Sequence, residues 1–180
     1  PASIAAVGAM RQSVLLRLLE RLELFLYRKS AAIVALTPSF KDDLVRRGIP
    51  SDKIAVVVNG VDLWRYGPRD PDSKLAAEWA LDGMFVVGYV GTHGMAHGLV
   101  NILDTAERLR GETGLRFLLA GDGAERPQLI ADAERRGLTN VAFMPPQPKE
   151  RMPAVWSLCD VALVHLKGSP VFAGVIPSKM

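Results

Sequence analysis

The chain has 180 residues, of which 49% are hydrophobic and 23% are charged, a composition typical of a folded domain and not of a disordered chain. Its formal net charge of +3 arises from 22 basic and 19 acidic residues, a balance that gives no indication of nucleic-acid binding. The single cysteine, Cys159, excludes a disulfide framework and a cysteine-rich zinc site, and it fits a reducing compartment. No apolar run reaches the roughly 18 residues that a membrane-spanning helix needs.

The chain up to residue 61 predicts two helices and two strands. Residues 11–29 carry apolar side chains at helical spacing with charges between them, which indicates a long amphipathic helix. A second helix is predicted to begin at Ser39 as its N-cap and to end at Gly48. Two short apolar runs are typical of buried strands: residues 31–36 and 54–58. An Asn59-Gly60 turn follows the second run.

Beyond residue 61 the pattern predicts a linker, a short helix and then a second alternating unit. The linker spans residues 62–73 and the short helix residues 74–81. The predicted strands are residues 85–90, 115–120, 141–144 and 161–166. The predicted helices are residues 99–110, 126–136 and 150–158. Because most strands are uninterrupted apolar runs, the pattern predicts parallel sheets covered by helices on both faces.

A glycine-rich segment, GYVGTHGMAHG over residues 88–98, runs from the first strand of the second unit into a helix. Glycines let a backbone approach a phosphate closely, and a helix N-terminus offers N–H groups and partial positive charge. Alternatively, the segment is a tight strand-to-helix turn without a ligand. Its spacing matches neither the dinucleotide-binding fingerprint nor the Gly-Lys-Ser/Thr phosphate loop.

Two further motifs are candidates for ligand contact. Gly121-Asp122-Gly123 follows the next strand, and ligands collect beyond the carboxyl ends of parallel strands. Alternatively, Asp122 caps the following helix. Near the chain end, Ser178 and Lys179 form either a phosphate contact or a solvated pair.

The remaining chemistry-bearing residues predict no separate site. The three histidines are His93, His97 and His165, and no two of them have the spacing of a helical metal pair. His165 is predicted inside a strand, and Cys159 is interpreted as a packing residue.

Taken in order, the motifs resemble a known family. The segments are AIVALTPS (32–39), VNGVD (58–62), GYVG (88–91), LLAGDG (118–123), VAFMPP (141–146), PKERMP (148–153), DVALV (160–164) and PSK (177–179). This ordered set resembles the family 4 retaining glycosyltransferases of the GT-B fold. It is most similar to the bacterial branch that adds sugars in O-antigen, capsule and colanic-acid assembly.

The resemblance implies an α/β fold of GT-B-type Rossmann-like parallel sheets with helices on both faces, here incomplete. It assigns residues 1–61 to the C-terminal part of a first, acceptor-side domain. Residues 62–83 become a linker with a short helix, and residues 84–180 the first half of a second, donor-binding domain. Because the chain has no start methionine and ends without a closing element, we expect a piece of a longer protein. Because the acceptor half and the two-glutamate motif would be missing from it, we expect this piece to be inactive by itself.

The implied activity is transfer of a sugar from a nucleoside-diphosphate sugar, usually UDP-linked, to a glycan or polyprenyl-linked acceptor in cell-surface polysaccharide synthesis. Neither a metal nor a cofactor is implied, and nucleic acid is not a partner. The residues implied in donor binding are Gly91, Thr92, His93, Gly94, His97, Gly121, Asp122, Gly123, Phe143, Pro145, Ser178 and Lys179. Catalytic residues are not assigned.

The sequence also departs from the family pattern. Thr92 and His97 stand where many members have Arg and Lys. The two-glutamate motif is absent, and its first position holds Gly174.

Alternatives stay open for the activity and for the first helix. A UDP-sugar 2-epimerase shares the fold, and a non-catalytic nucleotide-binding module is a non-enzyme alternative. The helix over residues 11–29 either covers the first domain or presents its basic, apolar surface to the membrane that carries a lipid-linked acceptor. We expect a cytoplasmic protein, with peripheral contact at the cytoplasmic face of the inner membrane as the second possibility.

Overall fold

A computed structural model describes residues 13–170 and 172–177. The described residues form two compact units. One comprises residues up to Gly60 together with those from Lys167 onward, and the other spans Val61–Leu166. Both combine helices with parallel strands, which confirms the predicted α/β class. That the two units are parts of two GT-B domains stays a prediction.

The first unit is built on two parallel strands. After helix α1 (Val14–Lys29), strand β1 (Ile33–Ala35) pairs with strand β2 (Ile54–Val56), and helix α2 (Pro38–Arg46) lies between them in sequence. Their shared core holds the apolar side chains of Ile33, Ala35, Leu44, Ile49 and Ile54. Among the described residues, no helix is both long enough and apolar enough to cross a membrane.

The N-cap of α2 is Thr37. The sequence pattern predicted Ser39 at this position, and that prediction is wrong. Thr37 Oγ1 accepts a hydrogen bond from the Phe40 N–H at 3.2 Å. Pro38 occupies the first helical turn, where its fixed φ is favourable and its missing N–H costs nothing. Ser39 therefore already lies inside the helix.

Thr37 also joins α2 to the segment around Gly174. The buried Thr37 hydroxyl donates to the Gly174 carbonyl oxygen at 3.0 Å. A Cβ on Gly174 would lie 2.6 Å from the Cβ of Ser39, closer than real Cβ atoms approach. A side chain at position 174 would therefore require Ser39 or the segment around Gly174 to shift.

The second unit is a parallel sheet of four strands in the order β5–β4–β3–β6. The strands are β3 (Phe85–Val90), β4 (Leu115–Ala120), β5 (Val141–Met144) and β6 (Val161–Ala162). The helices are α3 (Ser73–Glu78), α4 (Val100–Arg108), α5 (Arg126–Arg135) and α6 (Met152–Ser157). The predicted elements are all present, with helix and strand ends that differ by a few residues.

Buried side chains alternate between the two faces of this sheet, as the pleat of a strand requires. In β4, Leu118 packs on one face with Leu75, Trp79 and Val155. Its neighbour Phe117 packs on the other face in a second buried cluster that includes Tyr89, Leu103 and Leu129. Helices thus cover both faces of this sheet.

Strand β6 is shorter than predicted. The ladder with β3 covers Val161 and Ala162 and extends by one further bond, from the Leu163 N–H to the Gly88 carbonyl oxygen at 2.7 Å. His165 therefore lies beyond the strand and not inside it.

The middle of β3 contacts the only cysteine of the sequence. A Cβ on Gly88 would lie 2.2 Å from Cys159 Sγ. Burial raises the pKa of the Cys159 thiol to about 12, and the nearby charge of Asp160 adds to the rise. At neutral pH the thiol is protonated and uncharged, as a packing residue should be.

We predict that Gly88→Ala lowers the free energy of unfolding by about 1–3 kcal/mol, because the new methyl overpacks the site. The obstructing atom belongs to a side chain, so Cys159→Ala in the same chain should recover much of that loss. Urea denaturation of the two single variants and the double variant measures the interaction free energy between the substitutions at positions 88 and 159. A Gly88→Ala cost that is equal in both backgrounds would show that Cys159 is not the obstacle.

Candidate functional site

A cavity of about 350 Å³ lies in the second unit at the carboxyl ends of β3 and β4. Its lining consists of Val90, Gly91, Thr92, Ala120, Gly121, Asp122, Pro146, Gln147 and Met152. Val90 and Ala120 are the last paired residues of the two strands, and a glycine follows each of them. Open parallel sheets bind ligands at this edge.

Two segments that leave these strands are joined to each other through their backbones. We call residues 91–98 the glycine-rich loop and residues 121–123 the acidic turn. The Gly91 N–H donates to the Ala120 carbonyl oxygen, and the His93 N–H to that of Asp122, both at 2.8 Å. The Glu125 N–H in turn donates to the His93 carbonyl oxygen at 2.9 Å.

Glycine is required in the acidic turn for two reasons. A Cβ on Gly121 would lie 1.9 Å from the Gly91 carbonyl oxygen, and one on Gly123 would lie 2.5 Å from that of His93. The φ angles of Gly121 (+145°) and Gly123 (+154°) are moreover ones that side-chain-bearing residues rarely adopt. The turn can approach the loop this closely only because both positions lack a side chain.

The side chain of His93 points into the packed interior. His93 is fully buried, with its ring centroid 5.9 Å from that of Tyr89 and 6.5 Å from that of Phe143. The Tyr89 hydroxyl donates to the Thr92 carbonyl oxygen at 2.8 Å. Burial raises the pKa of Tyr89 to about 12, so this donor keeps its proton at neutral pH. The glycine-rich loop is thus anchored to the core by the buried rings and by the hydrogen bond of the Tyr89 hydroxyl.

His97 lies at the far end of the glycine-rich loop. Its Nδ1 is 3.2 Å from the His165 carbonyl oxygen, and its ring meets the edge of Tyr89 at a centroid distance of 5.8 Å. It is not among the residues that line the cavity. Direct contact of His97 with a donor diphosphate therefore stays a prediction.

Asp122 gives the cavity a negative charge. Its carboxylate is exposed, and its Oδ1 accepts from the Gly123 N–H at 2.8 Å. It does not cap α5, whose N-cap residue is Glu125 and has no side-chain cap. A carboxylate here accepts hydrogen bonds from hydroxyl or N–H groups and repels a phosphate. This side of the cavity therefore suits the hydroxyl or N–H groups of a ligand.

The structure brings part of the predicted site together. Of the predicted donor residues, the cavity lining includes Gly91, Thr92, Gly121 and Asp122. His93 and Gly123 join the loop to the turn, whereas Gly94, Phe143 and Pro145 are not in the lining. Ser178 and Lys179 lie outside the described residues. Whether these residues bind a donor stays a prediction.

Val90, Ala120 and Met152 were missed by sequence reasoning, whereas Pro146 and Gln147 follow β5 in the same segment as the predicted Phe143 and Pro145. Val90 and Ala120 end neighbouring strands directly before a glycine, a position that could have indicated them. The start of α6 brings Met152, and no local pattern marks it. Within the described ranges, no three His, Cys, Asp or Glu side chains are grouped to hold a metal ion.

Residues 7–65 match a family described as Glycosyltransferase Family 4. Over 151 residues the chain is 28% identical to a protein of Escherichia coli (strain K12) named as the colanic acid biosynthesis glycosyl transferase WcaI, covering 82% of the chain. It is 36% identical over 126 residues, 65% of the chain, to the D-inositol 3-phosphate glycosyltransferase of Nocardia farcinica. The likeness is to glycosyltransferases. These matches cover 37% and 28% of the two relatives, so the chain spans well under half of their length.

Two solved structures share the fold over most of this chain. Alr3699/HepE from Anabaena, in complex with UDP and glucose, superposes with a TM-score of 0.68 at 20% identity, over 79% of this chain and 40% of that one. WaaG, a glycosyltransferase involved in lipopolysaccharide biosynthesis, superposes with a TM-score of 0.67 at 16% identity. That match covers 91% of this chain and 48% of WaaG. The chain has the α/β architecture of GT-B structures.

We predict that Gly121→Ala destabilises the second unit by about 3 kcal/mol or more, because the obstructing atoms are backbone and the φ is unfavourable for alanine. Gly114→Ala is the matched control, since a Cβ there meets nothing within 4 Å. Thermal and urea unfolding of the three proteins measure the difference. Equal stability of the two variants would show that the loop and the turn do not meet as described.

Proposed function

We propose that this chain supplies the nucleotide-sugar donor site of a retaining glycosyltransferase. The observation that carries the proposal is the cavity at the ends of β3 and β4, whose walls are two glycine turns joined backbone to backbone. A site of this kind binds a nucleotide through main-chain groups. The similarity to sugar transferases along most of the chain supports the same conclusion.

A UDP-linked donor fits the charges around the cavity. Asp122 and the segment that contains Pro146 and Gln147 suit the uracil and ribose, which offer N–H and hydroxyl groups. The diphosphate would lie toward the glycine-rich loop and the start of α4. Leu99, the N-cap of α4, has no side chain able to cap the helix, and a helix start attracts negative charge.

The reaction would be assisted mainly at the leaving group. As the bond between the sugar and the diphosphate breaks, negative charge grows on the departing phosphate oxygen. Loop N–H groups that are already oriented stabilise that charge without reorganisation. The hydrogen bond from the Tyr89 hydroxyl and the backbone hydrogen bonds of His93 keep the loop backbone in one conformation.

The proposed acceptor is a glycan or a polyprenyl-linked sugar of a cell-surface polysaccharide. Cys159, the one thiol of the sequence, fits a cytoplasmic location. Helix α1 exposes about half of the side chains of Leu22 and Phe25 beside basic residues. We propose that this surface either packs within the acceptor-side domain or contacts the inner membrane peripherally.

The test is binding of UDP to the 180-residue chain by calorimetry, with GDP and UMP for comparison. We predict that Gly91→Val abolishes UDP binding, because its Cβ would block the approach of a phosphate. The φ of +148° at Gly91 also lowers the stability of this variant, so binding is measured at a temperature at which thermal unfolding shows it to be folded. Gly111→Val is the matched control, since a Cβ there meets nothing within 4 Å.

Unchanged UDP affinity in a folded Gly91→Val variant would remove the loop from the site. Absence of UDP binding by the unmodified chain would refute the donor-site proposal itself. Because the matched regions cover a minority of each relative, we expect nucleotide binding but no sugar transfer from these residues alone.

A further inference from the structure

Two histidines that are far apart in sequence hold each other by reciprocal contacts. His97 Nδ1 is 3.2 Å from the His165 carbonyl oxygen. His165 Nδ1 in turn bonds to the His97 carbonyl oxygen. Each imidazole thus reaches the backbone of the other residue, and we call His97 and His165 the histidine pair.

The partners of the histidine pair fix one hydrogen on each ring. A carbonyl oxygen can only accept, so each Nδ1 must carry a hydrogen. Asn101 Nδ2 lies 3.4 Å from His165 Nε2, so the His165 ring also meets the first turn of α4.

The histidine pair lies beyond the ends of β3 and β6, where the strand order of the sheet reverses. The chain proceeds from β3 to β4 and β5 on one side of the sheet and returns to β6 on the other side of β3. The strand order therefore reverses between β3 and β6, and ligands of open parallel sheets bind beyond such a reversal. The glycine-rich loop follows β3, and His165 follows β6, so the pair joins the two segments at that point.

We propose that His97 and His165 are positioning residues of the donor site. The pair fixes the far end of the glycine-rich loop, whose near end is fixed by the hydrogen bonds of Gly91 and His93. With both ends held, the loop backbone keeps the conformation that a nucleoside diphosphate requires. This inference rests on the proposed function, and it gives His97 a role that needs no contact with the phosphates.

The test uses three variants of His165 in the 180-residue chain. The amide nitrogen of asparagine is as many bonds from Cα as Nδ1, so His165→Asn keeps the donor. The amide nitrogen of glutamine corresponds to Nε2, so His165→Gln is the matched control of similar chemistry. His165→Ala removes the ring. Hydrogen exchange of peptides that cover residues 91–98 is measured without ligand, and UDP and UMP binding are measured by calorimetry.

We expect His165→Ala and His165→Gln to speed exchange in the loop and to weaken UDP binding about three- to tenfold, the worth of one lost hydrogen bond. UMP, which lacks the second phosphate, should be affected less. His165→Asn should restore both values, and thermal unfolding of each variant checks that it is folded under the conditions of the assay.

Unchanged loop exchange in His165→Ala would overturn the proposal, as would equal losses in the Asn and Gln variants, which would indicate packing alone. If the loop exchange follows the expected order but the unmodified chain binds no UDP, the role in donor binding is refuted together with the proposed function. That result would still support the conclusion that the histidine pair orders the loop.

Discussion

The cavity depends on the close approach of two backbones. Gly121 faces the carbonyl group of Gly91, and Gly123 faces that of His93, at distances that exclude a Cβ on either turn residue. A side chain at either glycine would force the turn away from the loop. The hydrogen bonds of the Gly91 and His93 N–H groups to the neighbouring segment would then be lost. The shape of the cavity wall therefore depends on the absence of a Cβ at Gly121 and at Gly123.

The sheet brings these backbones to the same place. Six register pairs, from Phe85–Leu115 to Val90–Ala120, align the ends of β3 and β4. A slip by one residue would exchange the faces of every side chain in the strand, and buried clusters on both faces oppose it. Tyr89 connects the packing to the loop, because its ring is buried in the core while its hydroxyl bonds to Thr92.

Local sequence was sufficient to predict most of the helices and strands and the edge of the sheet at which the cavity lies. Apolar runs gave the strands, and Gly91 and Gly121 after two of them indicated the edge where the cavity lies. Residues whose roles depend on tertiary contacts were harder to predict. The partner of His97 is 68 positions away in sequence, and β6 ends before His165, so no periodicity connects them. Ser39 has a suitable N-cap side chain, but Pro38 is favourable in the first helical turn, and the helix therefore begins earlier, with Thr37 as its N-cap.

The charges of the site explain why backbone geometry matters so much in this chain. Residues 91–98 contain no Arg or Lys, and Asp122 adds a carboxylate to the cavity. In the proposed donor site, N–H dipoles would therefore supply much of the attraction for a diphosphate. The attraction between an N–H dipole and a phosphate falls off quickly with distance and depends on orientation. Small movements of the loop therefore weaken it more than they would weaken the attraction of a flexible lysine side chain. The proposed donor site would therefore need its loop held at both ends, by the acidic turn on one side and, as we propose, by the histidine pair on the other.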